Sequence, residues 1–162
     1  MMTTLIRHPE PSDHERIMAV MPDWWGGRDL RTMLPRLFLH HFNDTSFIAE
    51  EDGDLVAFLV GFMSPSRAGE AYIHFVGVHP GHRDRGLGRE LYHRFFEVCR
   101  GRGRDIIRSC TSPVNRGSIL FHQRMGFDIE PGDHMVDGIP VTRDYNRPGD
   151  PKVLFTKHLD LH

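Results

Sequence analysis

Apolar residues change their spacing along this chain, and each change marks an element. Leu30, Met33, Leu34, Leu37 and Phe38 recur at three- and four-residue intervals, the period of a helix that buries one face. Pro35 lies among them, and its missing N–H should kink or restart that helix. Leu87, Leu91, Phe95 and Val98 make one stripe on a helix over Gly86–Arg100. Ser12, with Glu15 three residues on, has the spacing of a capping box and predicts a helix start. Elsewhere the apolar runs are short and β-prone: Thr3–Arg7, Thr45–Met63, Glu70–Val78, Asp105–Ser112 and Lys152–Leu159. Asp52-Gly53 divides the second of these into a hairpin. Residues 115–127, NRGSILFHQRMGF, read as a short helix with Asn115 as its cap and Gly126 near its end. A further strand is expected near Phe127–Glu130. Two stretches have no sustained period: MPDWWGG at 21–27 and the turn-rich run from Glu130 to Pro151, both read as loops.

The order is β-α-α-β-β-β-α-β-α-β. Helices that interleave with strands, one group of which is a run of hairpins, imply a mixed α/β sheet flanked by helices. The length of 162 residues fits a single domain over 1–162. Composition narrows the class further. The chain is 39% hydrophobic and 26% charged, as a packed globular domain would be. A formal charge of −2 argues against a protein that coats nucleic acid. Cys99 and Cys110 have neither the number nor the spacing of a disulfide framework or zinc site. The twelve histidines are scattered, so no metal site is expected. No basic and apolar leader and no run of membrane-spanning length is visible, so a cytoplasmic location is expected.

The densest chemical signal is HFVGVHPGHRDRGLGREL, His74–Leu91, which begins as a strand and ends as a helix. A helix N-terminus exposes unpaired N–H groups and partial positive charge. Glycines let a ligand approach those amides, and Arg83, Arg85 and Arg89 add formal charge. A strand, a glycine turn and a helix start make an anion cradle, and a pyrophosphate suits it. A P-loop is disfavoured because no Gly-Lys-Ser/Thr closes the turn. The dinucleotide fingerprint also fails, since GLGREL has leucine where the third glycine belongs. An arginine- and glycine-rich surface turn before an ordinary helix is the bland alternative.

Arg83-x-x-Gly86-x-Gly88 resembles the R/Q-x-x-G-x-G/A signature of the GCN5-related N-acetyltransferases (GNAT). NRGSILFHQRMGF is similar to the family's later motif, and the element order resembles that fold over residues 3–160. The resemblance implies a mostly antiparallel central sheet splayed between its fourth and fifth strands, with acetyl-CoA as co-substrate. It implies that the backbone of Arg83, Asp84, Arg85, Gly86, Leu87, Gly88 and Arg89 holds the pyrophosphate. It also implies that Val76, Gly77 and Val78 pair with the pantetheine arm, with the Val78 N–H on the thioester oxygen. Asn115 and Ser118 are candidate cofactor contacts, and Asn115 can equally be only the helix cap.

The implied reaction is direct attack of a primary amine on the thioester. The family commonly carries a tyrosine as proton donor where this chain has His122, so His122 is the candidate general acid. His74 is the candidate base, with Glu70 as an alternative. Trp24 and Trp25 could wall the pocket for a small-molecule or peptide amine, or could simply staple helices together. The missing tyrosine also keeps open a non-catalytic acyl-CoA-binding module of the same fold. Family analogy admits a homodimer, with no nucleic-acid or membrane partner.

Overall fold

The computed structural model describes residues 3–161; residues 1, 2 and 162 of the expected domain lie outside it. The chain forms two compact units, Met1–Met63 with Ile73–Cys99, and Ser64–Tyr72 with Arg100–His162. Strand β4 (Glu70–Val78) contributes its first three residues to the second unit and the rest to the first.

The first unit contains β1 (Thr4–Arg7), α1 (Asp13–Trp24), a 3₁₀ turn (Arg31–Met33), α2 (Leu37–His41), β2 (Phe47–Glu51) and β3 (Asp54–Met63). It also holds most of α3 (Leu87–Gly101). The strand order is β1-β2-β3-β4, with β2 antiparallel to both β1 and β3. Asp52 and Gly53 have φ of 50° and 84°, as a two-residue hairpin turn of matching twist requires. Ile17, Met21 and Trp24 of α1 are buried in a core with Leu34, Leu39, Ile48 and Phe58. Pro35 separates the 3₁₀ turn from α2, so the expected break falls where proline removes a helix donor.

Two expectations need correction here. Ser12 stands at the cap of α1 with helical φ and ψ, and its side chain makes no capping bond. No side chain caps α1; the Asp13 carboxylate turns back to the chain before the helix, where its Oδ2 accepts from the Glu10 N–H at 2.7 Å and both Nη atoms of Arg7 clamp it at 2.8 and 3.0 Å. The loop expected at 21–27 is helical through Trp24, with Pro22 inside α1. Met21 and Trp24 continue the face begun by Ile17, and burying them outweighs the missing proline donor.

The second unit contains β5 (Ile106–Thr111), α4 (Arg116–Arg124), β6 (Asp128–Ile129), β7 (His134–Val136), β8 (Ile139–Arg147) and β9 (Asp150–His158). Its order is β4-β5-β9-β8-β7, with β6 also on β9. The parallel β4–β5 ladder joins Glu70–Tyr72 to Ile106–Arg108. β9 runs antiparallel along all of β5. Residues 130–151, expected as a loop, are mostly β7 and β8. Asp137 and Gly138 turn the first hairpin with φ of 50° and 80°, and Gly149 (φ 78°) turns β8 into β9. β7 is three residues long and β8 is largely exposed from Arg143 to Arg147, so neither has an apolar period; main-chain pairing makes them strands.

Candidate active site

The junction after β4 has the form of a cradle. The His79 N–H donates to the Val56 carbonyl at 2.8 Å, and its Nδ1 accepts from the Gly81 N–H at 2.9 Å. His79 is thus the structural start of the turn. Asp84 and Gly86 then adopt left-handed φ of 64° and 82°. These two residues swing the chain so that α3 begins at Leu87, and the Glu90 N–H donates to the Gly86 carbonyl at 2.9 Å. The N–H groups of Leu87, Gly88 and Arg89 occupy the first turn, ahead of that bond, where a helix presents donors outward. A Cβ placed on Gly86 would meet nothing within 4 Å, so the approach is open and only the φ demands glycine.

The three arginines divide into two kinds. Arg83 Nη2 donates to the Trp24 carbonyl at 2.7 Å, placing a cation at the C-terminal end of α1. Arg85 Nη2 donates to Glu51 Oε1 at 2.9 Å, and its Nη1 lies 2.5 Å from His82 Nδ1. Both guanidinium groups therefore have partners within the protein, while both residues remain exposed. Arg89 is exposed, with its Nε 3.4 Å from His93 Nε2. Glu51 and His82 had no signal in the sequence: a glutamate ending a strand and one histidine among twelve are unremarkable until the fold brings them to Arg85.

On β4, Gly77 is needed for space. A Cβ there would lie 2.6 Å from Trp25 Cη2 and 2.7 Å from Phe58 Cε1. Trp24 is only 3% exposed and stacks on Phe58 at 5.9 Å between ring centroids, so it is core and not a pocket wall. Trp25 is half-buried and packs edge-on against Phe75 at 5.1 Å. Val76 and Val78 are half-buried. The His74 ring stacks flat on Phe38 at 4.2 Å, and its Nε2 is 2.6 Å from the Met33 carbonyl. A carbonyl only accepts, so Nε2 carries the proton and Nδ1 the lone pair. Burial lowers the His74 pKa, a pull the Met33 bond partly opposes, so the ring is neutral near pH 7.

In the second unit, Glu70 is 8% exposed and paired with Arg108 and with Arg67, the latter at 3.4 Å. The Arg108 bond holds its pKa below the usual carboxylate range, which makes Glu70 a poor proton acceptor. Arg108 also binds Glu130, so one guanidinium joins two carboxylates. His122 is 4% exposed, stacked flat on Phe155 at 4.2 Å. Its Nδ1 donates to the Ser118 carbonyl at 2.8 Å, with Ser118 Oγ at 3.3 Å. Burial lowers its pKa to about 4, against the smaller opposing pull of that bond. A neutral imidazole is a weak acid, so the expected proton donor is a packed, uncharged ring. Asn115 Oδ1 accepts from the Ser118 N–H at 3.1 Å and caps α4. Among the described residues, no group of three or more His, Cys, Asp or Glu is placed to hold a metal ion. No helix of the described chain is long and apolar enough to cross a membrane.

The architecture is a mixed α/β sheet flanked by helices, with the first-turn amides of α3 presented at the strand-to-helix turn after β4. Residues 12–127 match the acetyltransferase (GNAT) family, and the chain belongs to it. GNAT acetyltransferases use acetyl-CoA as co-substrate. The chain is 29% identical over 120 residues to an L-2,4-diaminobutyric acid acetyltransferase of Nocardia farcinica; the match covers 72% of this chain and 61% of that protein. A diaminobutyrate acetyltransferase of Paenibacillus lautus, solved with L-2,4-diaminobutyric acid and coenzyme A, superposes with a TM-score of 0.72 at 24% identity. That superposition covers 98% of this chain and 96% of the other. Ard1 of Thermoplasma volcanium gives a TM-score of 0.78 at 20% identity over 97% and 98% of the two chains. These solved structures share the fold.

Proposed function

We propose that the protein transfers the acetyl group of acetyl-CoA to the primary amine of a small molecule, by direct attack on the thioester. The observation that carries this reading is the β4–α3 turn, whose left-handed Asp84 and Gly86 aim the first-turn amides of α3 outward in a chain of this family. The N–H groups of Leu87, Gly88 and Arg89 bind the pyrophosphate, and the Arg89 side chain supplies exposed charge. Arg83 and Arg85 hold the loop. The pantetheine arm pairs with the backbone of Val76, Gly77 and Val78 as an added strand would. The Val78 N–H meets the thioester oxygen, where negative charge grows as the amine attacks.

The acceptor must shed a proton, since an ammonium has no lone pair. His74 Nδ1 is the base: the Met33 carbonyl fixes the tautomer, and burial keeps the ring neutral. The amine nitrogen then bonds to the carbonyl carbon, the C–S bond breaks, and the thiolate leaves with its electron pair. The attacking nitrogen loses its second proton as the amide forms, and the thiolate, with a thiol pKa near that of cysteine at about 8.5, takes up that proton through solvent. His122 is assigned to packing. A small, free amine as acceptor is supported by the diaminobutyrate relative.

A second reading, an acyl-CoA-binding module without turnover, is favoured by the neutral, buried His122 at the family's usual tyrosine position. One experiment separates the two. Calorimetric titration with acetyl-CoA, with ATP and NAD as controls, is followed by a thiol-release assay over a panel of diamines and amino acids. Selective binding with release of free CoA supports the transferase. Binding without release on any amine supports the module, and no binding refutes both.

A further inference from the structure

We infer that Glu51, at the end of β2 and outside the cradle, is a positioning residue that fixes the cradle through Arg85. The inference rests on the reading of the β4–α3 turn as a pyrophosphate site. Glu51 is a charged residue only 3% exposed, and ladder pairs hold its backbone on both sides, to Thr4 in β1 and to Asp54 in β3. Its carboxylate has few degrees of freedom. Oε1 accepts from Thr4 Oγ1 at 2.9 Å and from Arg85 Nη2 at 2.9 Å. Oε2 lies 3.4 Å from Arg85 Nη1, so the guanidinium faces the carboxylate with both terminal nitrogens. Such a forked, charge-assisted pair fixes direction as well as distance.

Arg85 Nη1 also lies 2.5 Å from His82 Nδ1. The same Nδ1 lies 3.2 Å from Glu51 Oε2, so His82, Arg85 and Glu51 meet at one point and the ring ties the far side of the turn to both. The anchored segment runs from His82 to Arg85 and includes Asp84 in its left-handed conformation, two residues before Gly86. A non-glycine residue at φ 64° is held against its own preference. The bond from Arg85 to an immobile carboxylate is what holds it there. Arg83, bonded to the Trp24 carbonyl, fixes the other side of Asp84. The amides that receive the pyrophosphate are thus aimed by two arginines that do not touch it, one of them set by Glu51.

The test compares acetyl-CoA with S-acetyl-N-acetylcysteamine, a thioester that lacks the pyrophosphate. Wild type, Glu51→Gln, Arg85→Met, their double variant and Thr4→Val are titrated with acetyl-CoA and assayed with both thioesters. Glu51→Gln and Arg85→Met should each weaken acetyl-CoA about tenfold, the scale of one charge-assisted hydrogen bond. The double variant should be no weaker than either single one. KM for the pyrophosphate-free thioester should stay at the wild-type value, which general unfolding would not allow. Thr4→Val, which removes a partner of Glu51 that lies outside the turn, should bind acetyl-CoA as wild type does. If wild type binds acetyl-CoA and both Glu51→Gln and Arg85→Met bind it equally well, the positioning role is refuted and the cradle stands. Should Glu51→Gln fail to fold, Glu51→Asp, which keeps the charge and shortens its reach to Arg85, takes its place, and wild-type affinity in that variant together with Arg85→Met overturns the role. If wild type does not bind acetyl-CoA, the cradle reading falls and the inference with it.

Discussion

Replacing His122 by phenylalanine should flatten the acid side of the protein's stability curve. The imidazole is almost fully buried, and its pKa falls from 6.5 to about 4 in the folded protein. Between those values the unfolded chain binds a proton that the folded one does not. Stability therefore rises with pH in that window, is complete above about pH 6.5, and is lost as pH falls toward 4. At pH 4.5 the two binding polynomials differ by about 2.5 kcal/mol relative to neutral pH. For a chain of this size that corresponds to roughly 5–10 °C of melting temperature. Phenylalanine keeps a flat ring against Phe155 and cannot take up a proton. Its altered packing adds an offset that does not change with pH. Melting curves of both proteins from pH 8 to 4.5, followed by circular dichroism, give the difference directly. His74 titrates in the same direction in both proteins and cancels. The wild type should lose the extra 5–10 °C on acidification. Parallel curves would mean that His122 is accessible and protonated in the folded state, which would restore it as a candidate acid.

Other outcomes follow from single contacts. Gly77→Ala should cost about 1–3 kcal/mol in urea unfolding, since its methyl would lie 2.6 Å from Trp25 Cη2, and adding Trp25→Leu should recover part of the loss. An additive loss in that pair would show that the two residues do not touch. Gly86→Glu should abolish acetyl-CoA binding in calorimetry, because it puts a negative side chain on a φ of 82° at the pyrophosphate turn; retained affinity would place the cofactor elsewhere. His74→Gln should lower kcat/KM at least about 100-fold and remove an acid limb whose apparent pKa lies below 6.5, as a base kept neutral by burial requires. An unchanged pH profile would take His74 out of the mechanism. Arg108→Met should destabilise by about 2 kcal/mol by leaving Glu70 and Glu130 without their shared cation, read as a lower urea midpoint.

Much of this protein was legible in the chain. Helical spacing from Leu87 to Val98, the Asp52-Gly53 turn and the Asn115 cap each act over a few residues, so local physics suffices to read them. The cradle was legible for the same reason: a left-handed turn and a helix start are local events, and Gly86 and Leu87 carry them in sequence order. Other features depended on partners far away in the chain. The helix through Pro22 exists because Met21 and Trp24 find a core, which outweighs a local breaker. The β7–β8 hairpin is made by main-chain bonds that leave no apolar pattern, although Asp137-Gly138 was there to be read. Side-chain roles were the least legible. Three exposed arginines in one turn look alike in sequence, yet the fold ties Arg83 to the Trp24 carbonyl and Arg85 to Glu51, while Arg89 lies beside His93. His122 stands at a tyrosine's position by register, but its charge state is set by Phe155, 33 residues further along the chain, and by the water that packing excludes. Sequence determined where the backbone turns and offers its amides, because those are near-neighbour properties. Tertiary structure alone decided which ionisable groups face solvent, which are paired and which stay neutral, because desolvation and pairing are set by groups that only folding brings together.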